Sequence, residues 1–199
     1  MTIDQKFIDQ FVNVTSKAAV ASYNLIGKKD KIAADKAAVD SMRNELNQLN
    51  IRGKIVIGEG ELDEAPMLYI GEKVGTTNGP EIDIAVDPLE GTNFAANNLP
   101  GALSVIAIAE KNNLFHAPET YMEKISAKVN EKGVVDLDYS TKENIFNLCE
   151  YLNKKPESIT ACVMDRPRHK DIIDELNILG VKIKLITDGD VSGALLVTD

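Results

Sequence analysis

The sequence predicts an α/β fold, in which helices pack against β-sheet. Three observations lead to this fold class. Apolar residues recur at helical spacing near the amino terminus, where they define one face of a helix. Apolar residues alternate with other types over 82–87, which is the pattern of a half-buried strand. The second half has the order strand, helix, strand, and that order favours parallel pairing with a right-handed crossover.

The first half is expected to mix helices and strands. Phe7, Phe11, Val14 and Ala18 share one helical face, which predicts a first amphipathic helix. The expected elements, in chain order, are helices over about 4–26 and 31–50, a strand over 54–57, a helix from about Asp63, and strands over 82–87 and 103–109. The last of these is nearly all apolar, which is typical of a central strand. Loops with one or two strands are expected over 112–140.

The second half is more regular. Its expected elements are a helix over 141–153, a strand over 159–164, a helix ending near 179, a strand over 181–186 and a helix starting near 191. Gly180 stands where a helix commonly ends. The sequence stops at Asp199, inside the last expected helix, so the α/β fold is expected to be incomplete there.

Composition excludes several classes of function. The chain has 199 residues, 44% hydrophobic and 27% charged, which is ordinary for a soluble globular protein. Its net charge is −9 and it has no run of Lys and Arg, so a nucleic-acid surface is not expected. No apolar run is long enough to span a bilayer, and the amino terminus does not have the pattern of a signal peptide. A cytoplasmic location is therefore the simplest expectation.

Two acidic segments follow predicted strands. Asp87 and Glu90 lie on either side of Pro88, and a tight turn there would bring the two carboxylates together. Glu59 and Glu61 follow another strand. Ligands collect at strand ends in open α/β sheets, and clustered carboxylates need a cation to offset their repulsion. Their oxygens suit Mg²⁺ or Mn²⁺, which bind phosphorylated substrates; the alternative is a pair of solvated turns.

Other polar residues have two interpretations each. Asp35 is either a surface residue that complements a helix dipole or a ligand held close by small neighbours. Thr92 either caps the following segment or orients a water molecule. Arg166 and Arg168 precede a helix, where they either bind phosphate or are surface charges. The Asp-Gly-Asp segment at 188–190 either binds sugar hydroxyls or caps a helix.

Taken in chain order, the acidic and basic segments described above resemble those of the class II fructose-1,6-bisphosphatase family. This family is the GlpX-type branch of the lithium-sensitive, metal-dependent sugar phosphatases. The resemblance runs from about Lys31 to the end and is strongest over 56–75 and 87–92. The Tyr-Met-Glu-Lys segment at 121–124 and the Arg-Pro-Arg-His segment at 166–169 keep the family's order. The wider superfamily usually has Asp where Glu90 stands, and glutamate there is what the class II branch shows.

The resemblance implies metal ligands, a catalytic group and a substrate pocket. The implied ligands are Asp35 and Glu59 for one Mn²⁺ or Mg²⁺ ion, and Asp87 and Glu90 for a second. Thr92, with Glu59 or Glu61, would orient the attacking water and take its proton. The implied pocket residues are Lys31, Glu90, Gly91, Thr92, Tyr121, Arg166, Pro167, Arg168, Asp188, Gly189 and Asp190.

The same resemblance implies a fold and a reaction. The fold would be a layered α/β sandwich of the fructose-1,6-bisphosphatase/inositol monophosphatase type, with a metal-binding α+β domain over 1–140 and the start of an α/β substrate-binding domain over 141–199. The reaction would be hydrolysis of the 1-phosphate of fructose 1,6-bisphosphate, and in some relatives of sedoheptulose 1,7-bisphosphate. Because members of this family are commonly dimers or tetramers, the resemblance also implies a homo-oligomer.

Family members continue past residue 199 into a Gly-Gly-Ala-Pro-Glu segment that supplies a further metal ligand. A non-catalytic phosphosugar- or metal-binding module, or an interaction module, is therefore the alternative function.

Overall fold

A computed structural model describes residues 5–58, 68–116 and 120–198. The chain forms two compact units, residues 1–120 and 121–199. The helix expected from about Asp63 lies outside the described residues, as do Glu59 and Glu61. Both units contain helices and strands, which confirms the predicted α/β class. The two functional domains expected over 1–140 and 141–199 stay a prediction.

Two helices form one layer of the first unit. Helices α1 (Gln5–Tyr23) and α2 (Lys31–Leu46) pack against each other, and both predicted helices are confirmed. Asp30 begins α2 because its carboxylate accepts the Ala33 N–H at 2.9 Å. The buried side chains of the two helices follow the expected spacing: Phe11, Val14, Ala18, Ala34, Ala38, Val39, Met42 and Leu46. Helix α2 ends at Leu46, four residues before the expected end.

Four strands form the other layer of this unit. They are β1 (Arg52–Ile57), β2 (Lys73–Val74), β3 (Glu81–Glu90) and β4 (Leu103–Glu110), in the spatial order β2-β1-β3-β4. Strand β1 is parallel to β3, whereas β1 with β2 and β3 with β4 are antiparallel. Strand β2 has two residues, which is too short for an alternating pattern to predict it.

The strand register determines which face of the sheet the helices cover. Ile84 of β3 pairs with Ile55 of β1 and Ile108 of β4, and Val86 pairs with Ile106. Paired residues share a face, and all five side chains lie in or against one apolar core with α1 and α2. The opposite face of β3 therefore carries its other alternate residues, Asp83 and Ala85 among them.

The sequence suggested a tight turn at the end of β3, and the structure has none there. The strand continues through Pro88 to Glu90, with an irregular register between Asp87 and Glu90. Asp87 pairs with Val105 and Glu90 with Leu103, so β3 has one residue more than β4 in this interval, which is a β-bulge. Proline has no N–H to donate to the ladder, and bulges are positions that accept it. Helix α3 (Thr92–Ala96) follows and was too short to predict.

Two expectations about the rest of this region were wrong. Strand β4 was expected in the centre of the sheet, but in the described part of the chain it is one of the two edge strands. Its apolar sequence reflects packing through its face, since Ile106 and Ile108 contact the core. The strands expected over 112–140 are also absent: the described residues after β4 and before residue 141 contain turns and irregular backbone only.

The second unit has the predicted strand–helix–strand order. Helix α4 (Thr141–Leu152), strand β5 (Thr160–Met164), helix α5 (Lys170–Ile178), strand β6 (Lys182–Ile186) and helix α6 (Asp190–Leu195) follow one another. Strands β5 and β6 pair in parallel, from Thr160 with Lys182 to Met164 with Ile186. A separate apolar core joins α4, α5 and the two strands. Gly180, at φ +75°, ends α5 by letting the Val181 N–H reach the Leu176 carbonyl at 3.0 Å.

Among the described residues, no helix combines the length and the apolar character that crossing a membrane would require.

A largely buried ion pair connects α2 to the chain just before β2. Arg43 Nε donates to Glu72 Oε1 at 2.7 Å, and Nη2 donates to Oε2 at 3.2 Å. The Arg43 and Glu72 side chains are 24% and 11% exposed. The hydrogen bond to Glu72 raises the pKa of the Arg43 guanidinium above its usual value. Glu72 Oε2 also accepts the Tyr69 N–H at 3.3 Å, so the pair holds a segment that has no helix or strand of its own.

We expect Arg43→Met to lower the free energy of unfolding by about 2–3 kcal/mol, because the Glu72 carboxylate would keep its burial and lose its cation. Urea denaturation measures the change. Arg43→Met/Glu72→Met should recover most of the loss, since an apolar pair carries no desolvation penalty. Lys36→Met is the control because its ion pair with Asp40 is about half exposed and should contribute less than about 1 kcal/mol. Equal effects of the Arg43 and Lys36 variants would contradict the prediction.

Helix α4 begins with a capping box. Ser140 Oγ accepts the Glu143 N–H at 3.2 Å, and Glu143 Oε2 accepts the Ser140 N–H at 2.8 Å and its hydroxyl at 2.7 Å. These bonds, the side-chain one first, hold the pKa of Glu143 below its usual 4.5. The stabilisation is therefore present above pH 4.5 and is lost as the pH falls through the folded-state pKa.

We expect Ser140→Ala to destabilise the protein by about 1 kcal/mol at pH 7. The same variant should move the pKa of Glu143 back towards 4.5 in an NMR titration. Thr141→Ala removes a hydroxyl from the next residue and should change neither quantity. A Glu143 pKa that stays the same in Ser140→Ala would argue against the capping contribution.

Candidate functional site

The bulge in β3 puts two sequence-predicted acidic residues on one face of the sheet. Asp87 and Glu90 pair with Val105 and Leu103, which lie two residues apart on β4. Residues two apart on a strand point the same way, and paired residues share a face. Asp87 and Glu90 therefore face the same side, although three residues separate them in sequence. The expectation that they lie together is consistent with this register, but a bulge rather than a turn produces the arrangement.

Burial makes these carboxylates unusual. The Glu90 side chain belongs to a residue that is 5% exposed, and Asp87 is half-buried. Asp87 Oδ1 and Glu90 Oε2 are both removed from solvent. Burying a carboxylate is costly unless hydrogen bonds or cations stabilise it, so this face is a place where positive charge would be favoured.

Gly91 makes the corner between β3 and α3. Its φ is +77°, and a Cβ atom there would lie 3.0 Å from Phe94 Cδ2, so a glycine is the residue that fits. The Gly91 carbonyl accepts the Phe94 and Ala95 N–H groups and starts α3. Thr92 is the first residue of α3 and is half-buried. The corner thus places the Thr92 backbone directly after Glu90.

Asp35 is a further acidic residue of the first unit that is half-buried. It lies on α2, which packs against both β3 and α3. Asp35 Oδ1 is buried and, among the described residues, has no hydrogen-bond partner. Burial raises the pKa of this carboxyl above its usual 3.8, because a charged group is disfavoured away from water. An unsatisfied buried carboxylate oxygen fits a hard cation such as Mg²⁺ or Mn²⁺.

The described residues do not by themselves complete a metal centre. Within 5–58, 68–116 and 120–198, no group of three or more His, Cys, Asp or Glu side chains is arranged to hold a metal ion. The predicted ligand Glu59 and the predicted base Glu61 lie outside the described residues. Lys31, the expected phosphate contact, is the exposed first residue of α2.

The second unit brings together two predicted pocket residues. The Arg168 guanidinium lies over the Tyr121 ring, 4.2 Å from its centre, which is a cation–π contact. Arg166, Pro167 and Arg168 occupy the turn after β5, which includes the short 3-10 helix Pro167–His169. His169 is the residue directly before α5, and its Nδ1 lies 2.8 Å from the Met164 carbonyl. A carbonyl neighbour requires a proton on Nδ1, so this contact anchors the turn to the end of β5.

The Asp-Gly-Asp segment follows β6. Asp190 is the first residue of α6, and Gly189 rather than an aspartate occupies the cap position, with no side-chain cap hydrogen bond, so the structure does not support the capping interpretation of the two aspartates. Asp190 Oδ2 also receives the Lys124 ammonium at 2.7 Å. The sequence analysis did not predict this ion pair, because Lys124 stood out only as part of the Tyr-Met-Glu-Lys segment at 121–124. The feature of the sequence that could have indicated it is the position of Lys124, three residues after the expected pocket residue Tyr121.

Sequence reasoning also missed the contacts of the loop between α1 and α2. The Gly27 N–H donates to the Ala95 carbonyl at 2.9 Å, and the Lys29 N–H donates to the Ala96 carbonyl at 3.0 Å. Lys29 Nζ donates to Asn97 Oδ1 at 2.8 Å. The polar loop gave no signal of its partner, since α3 itself was not predicted.

Comparison with known proteins finds matches along nearly the whole chain. A family model described as bacterial fructose-1,6-bisphosphatase, glpX-encoded, matches residues 5–199. A protein of Synechococcus sp. strain CC9902, named D-fructose 1,6-bisphosphatase class 2/sedoheptulose 1,7-bisphosphatase, is 51% identical over 193 residues. Proteins with the same name from Thermosynechococcus vestitus and Prochlorococcus marinus strain MIT 9301 are 50% and 48% identical.

These alignments include nearly all of this chain but only part of each relative. The alignment with the Synechococcus protein includes 97% of this chain and 58% of that relative. For the Thermosynechococcus protein the shares are 94% and 57%. The chain thus spans somewhat more than half the length of the relatives that it matches. From the family model and these identities, the chain belongs to the glpX-encoded bacterial fructose-1,6-bisphosphatase family.

Proposed function

We propose that this chain takes part in metal-dependent hydrolysis of the 1-phosphate of fructose 1,6-bisphosphate, which yields fructose 6-phosphate. The observation that carries the proposal is the set of buried carboxylate oxygens on Asp35, Asp87 and Glu90, in a chain that matches the family model over 5–199. The relatives' name adds sedoheptulose 1,7-bisphosphate as a second candidate substrate. Both substrates carry two phosphates, which complement a cation-binding acidic site.

The first unit would hold the cations. Asp35 and Glu59 would bind one Mn²⁺ or Mg²⁺ ion, and Asp87 and Glu90 a second. When bound, such ions neutralise charge on phosphoryl oxygens and lower the pKa of coordinated water. The Thr92 hydroxyl would orient the attacking water in line with the leaving oxygen.

Three more residues have roles in this proposal. Glu59 or Glu61 would accept the proton of the attacking water. Lys31 would meet a phosphate.

The second unit would hold the rest of the substrate. Arg166 and Arg168 would bind phosphate oxygens, for which a guanidinium offers paired N–H donors. The ring of Tyr121 supports the Arg168 guanidinium from one side, which limits the orientations that the arginine can adopt. Asp188 and Asp190 would accept hydrogen bonds from sugar hydroxyls. Gly91, Pro167 and Gly189 would shape the pocket through their backbone.

The proposal extends to assembly and location. Association into homodimers or tetramers is proposed from the family resemblance. A cytoplasmic location is proposed because sugar bisphosphates carry several charges and do not cross a bilayer unaided.

A non-catalytic role remains the second candidate. It is the alternative function that the sequence left open. In that case the chain would bind phosphosugar or metal, or associate with a longer subunit, without turnover.

We expect phosphate release from fructose 1,6-bisphosphate by this chain when Mn²⁺ or Mg²⁺ is added, and loss of release when a chelator is added. Asp87→Asn should lower turnover at least about 100-fold, because it removes a charged ligand from the metal ion that would stabilise the transition state. Asp83→Asn is the matched control on the same strand and face. Release of inorganic phosphate is the measurement.

Two outcomes would count against the catalytic proposal. Turnover that survives Asp87→Asn would refute the metal site. A folded wild type that binds Mn²⁺ without releasing phosphate would favour the binding module instead.

We expect Asp35→Asn to change stability and metal binding in opposite directions. Burial raises the pKa of Asp35 in the folded state, so the charged form destabilises the metal-free protein above that pKa, and the penalty disappears as the pH falls towards 3.8. The neutral amide should therefore raise the Tm of the metal-free protein at pH 7 and weaken Mn²⁺ binding at least about tenfold.

Thermal unfolding with chelator and Mn²⁺ titration calorimetry measure the two effects. Asp40→Asn is the control on the same helix. Asp40 pairs with Lys36 at 2.7 Å, so its amide variant should raise neither the Tm nor the dissociation constant. A lowered Tm in metal-free Asp35→Asn would contradict the expected sign.

A further inference from the structure

The loop between α1 and α2 closes the carboxyl end of α3. Residues 95 and 96 are near the end of that helix, where carbonyl groups lack partners within the helix. The Ala95 carbonyl accepts the Asn98 N–H at 3.2 Å and the Gly27 N–H at 2.9 Å, and the Ala96 carbonyl accepts the Lys29 N–H at 3.0 Å. The loop therefore caps a helix that lies nearly seventy residues later in the chain.

Lys29 makes this connection with both its backbone and its side chain. Its φ is +63°, a left-handed conformation that is uncommon for a residue with a side chain. Its ammonium donates to Asn97 Oδ1 at 2.8 Å. Asn97 is in turn held by its own Nδ2, which donates to the Asn93 carbonyl at 2.8 Å. A cation at the carboxyl end of a helix is also favoured by the helix dipole.

The connection joins the two elements that carry the buried carboxylates. Six residues after Lys29 comes Asp35, on α2. Immediately before α3 come Glu90 and Gly91. Since α2 also packs against α3, the Lys29–Asn97 contact is placed to limit how far the start of α2 can move from the corner after β3.

We propose that Lys29 and Asn97 are positioning residues for the metal site. They hold the Asp35 end of α2 against the Glu90–Thr92 corner, and neither residue touches metal or substrate. The inference rests on the proposed metal-dependent function of that site. Strained backbone held by several hydrogen bonds is a known way to fix the geometry of a functional site.

The test is titration of the full chain with Mn²⁺ alone, without substrate. Lys29→Met keeps most of the side chain and removes the donor, and Asn97→Ala removes the acceptor. Each single variant should weaken Mn²⁺ binding about three- to tenfold, the size expected for one ordinary intramolecular hydrogen bond. The double variant should bind no more weakly than the worse single variant, because both changes break the same contact.

Two further variants separate positioning from general effects. Lys28→Met removes the same charge one residue earlier, from an exposed side chain, and should bind Mn²⁺ like the wild type. Asn97→Asp keeps an oxygen acceptor for Lys29 but loses the donor to the Asn93 carbonyl, so its affinity should lie between those of the wild type and Asn97→Ala. All variants should unfold cooperatively in the metal-free state, so that a loss of affinity is not a loss of fold.

The outcomes are distinguishable. A wild type that does not bind Mn²⁺ would overturn the proposed function and this inference with it. A wild type that binds, with Lys29→Met binding equally well, would overturn the inference alone. Equal weakening in Lys28→Met and Lys29→Met would also overturn it, because net charge would then explain the effect.

Discussion

The irregular pairing at Pro88 and Leu89 is the constraint on which the first unit depends. A regular strand would send Asp87 and Glu90 to opposite faces of the sheet, since side chains alternate. The extra residue in β3 changes that alternation, so that both carboxylates share a face, while Leu89 is buried in the core with the helices. The same ten-residue strand thus anchors the core through Ile84 and Val86 and presents its acidic residues elsewhere.

Burial gives these acidic residues their chemical character. Glu90 is 5% exposed, and the pKa of Asp35 is raised by the loss of water around it. Such groups would be costly in a protein of net charge −9 unless a local cation or hydrogen bonds compensate them. Elsewhere in the unit, Glu72 has such a compensating cation, the Arg43 guanidinium. Asp35 Oδ1 has no hydrogen-bond partner among the described residues, so Asp35 is proposed as a metal ligand and Glu72 as a structural residue.

Sequence periodicity predicted the long elements well and the short ones badly. The elements of the second unit appear in the expected order, because α4 and α5 are long enough to show the helical period and an apolar strand follows each of them. Strand β2 and helix α3 have two and five residues, which leaves no pattern to read. Strand β4 was placed in the centre because its sequence is apolar, yet apolarity reports burial of a face and does not report neighbours on both edges. At the site, the acidic residues were found by type and order, but the bulge that aligns them was not.

The sequence by itself determined local features and the family. The local features are the periodic helices and strands and the positions of the acidic and basic segments, and the family is the one to which the chain belongs. The tertiary structure alone decided which of these parts meet. Lys29 reaches Asn97 across 68 positions, Arg168 covers Tyr121, and Lys124 pairs with Asp190. Periodic patterns describe how a segment meets an apolar core, and they do not specify its partners, because many segments present the same pattern. The bulge, the left-handed Lys29 and the buried oxygen of Asp35 follow only once the packed chain selects one partner for each.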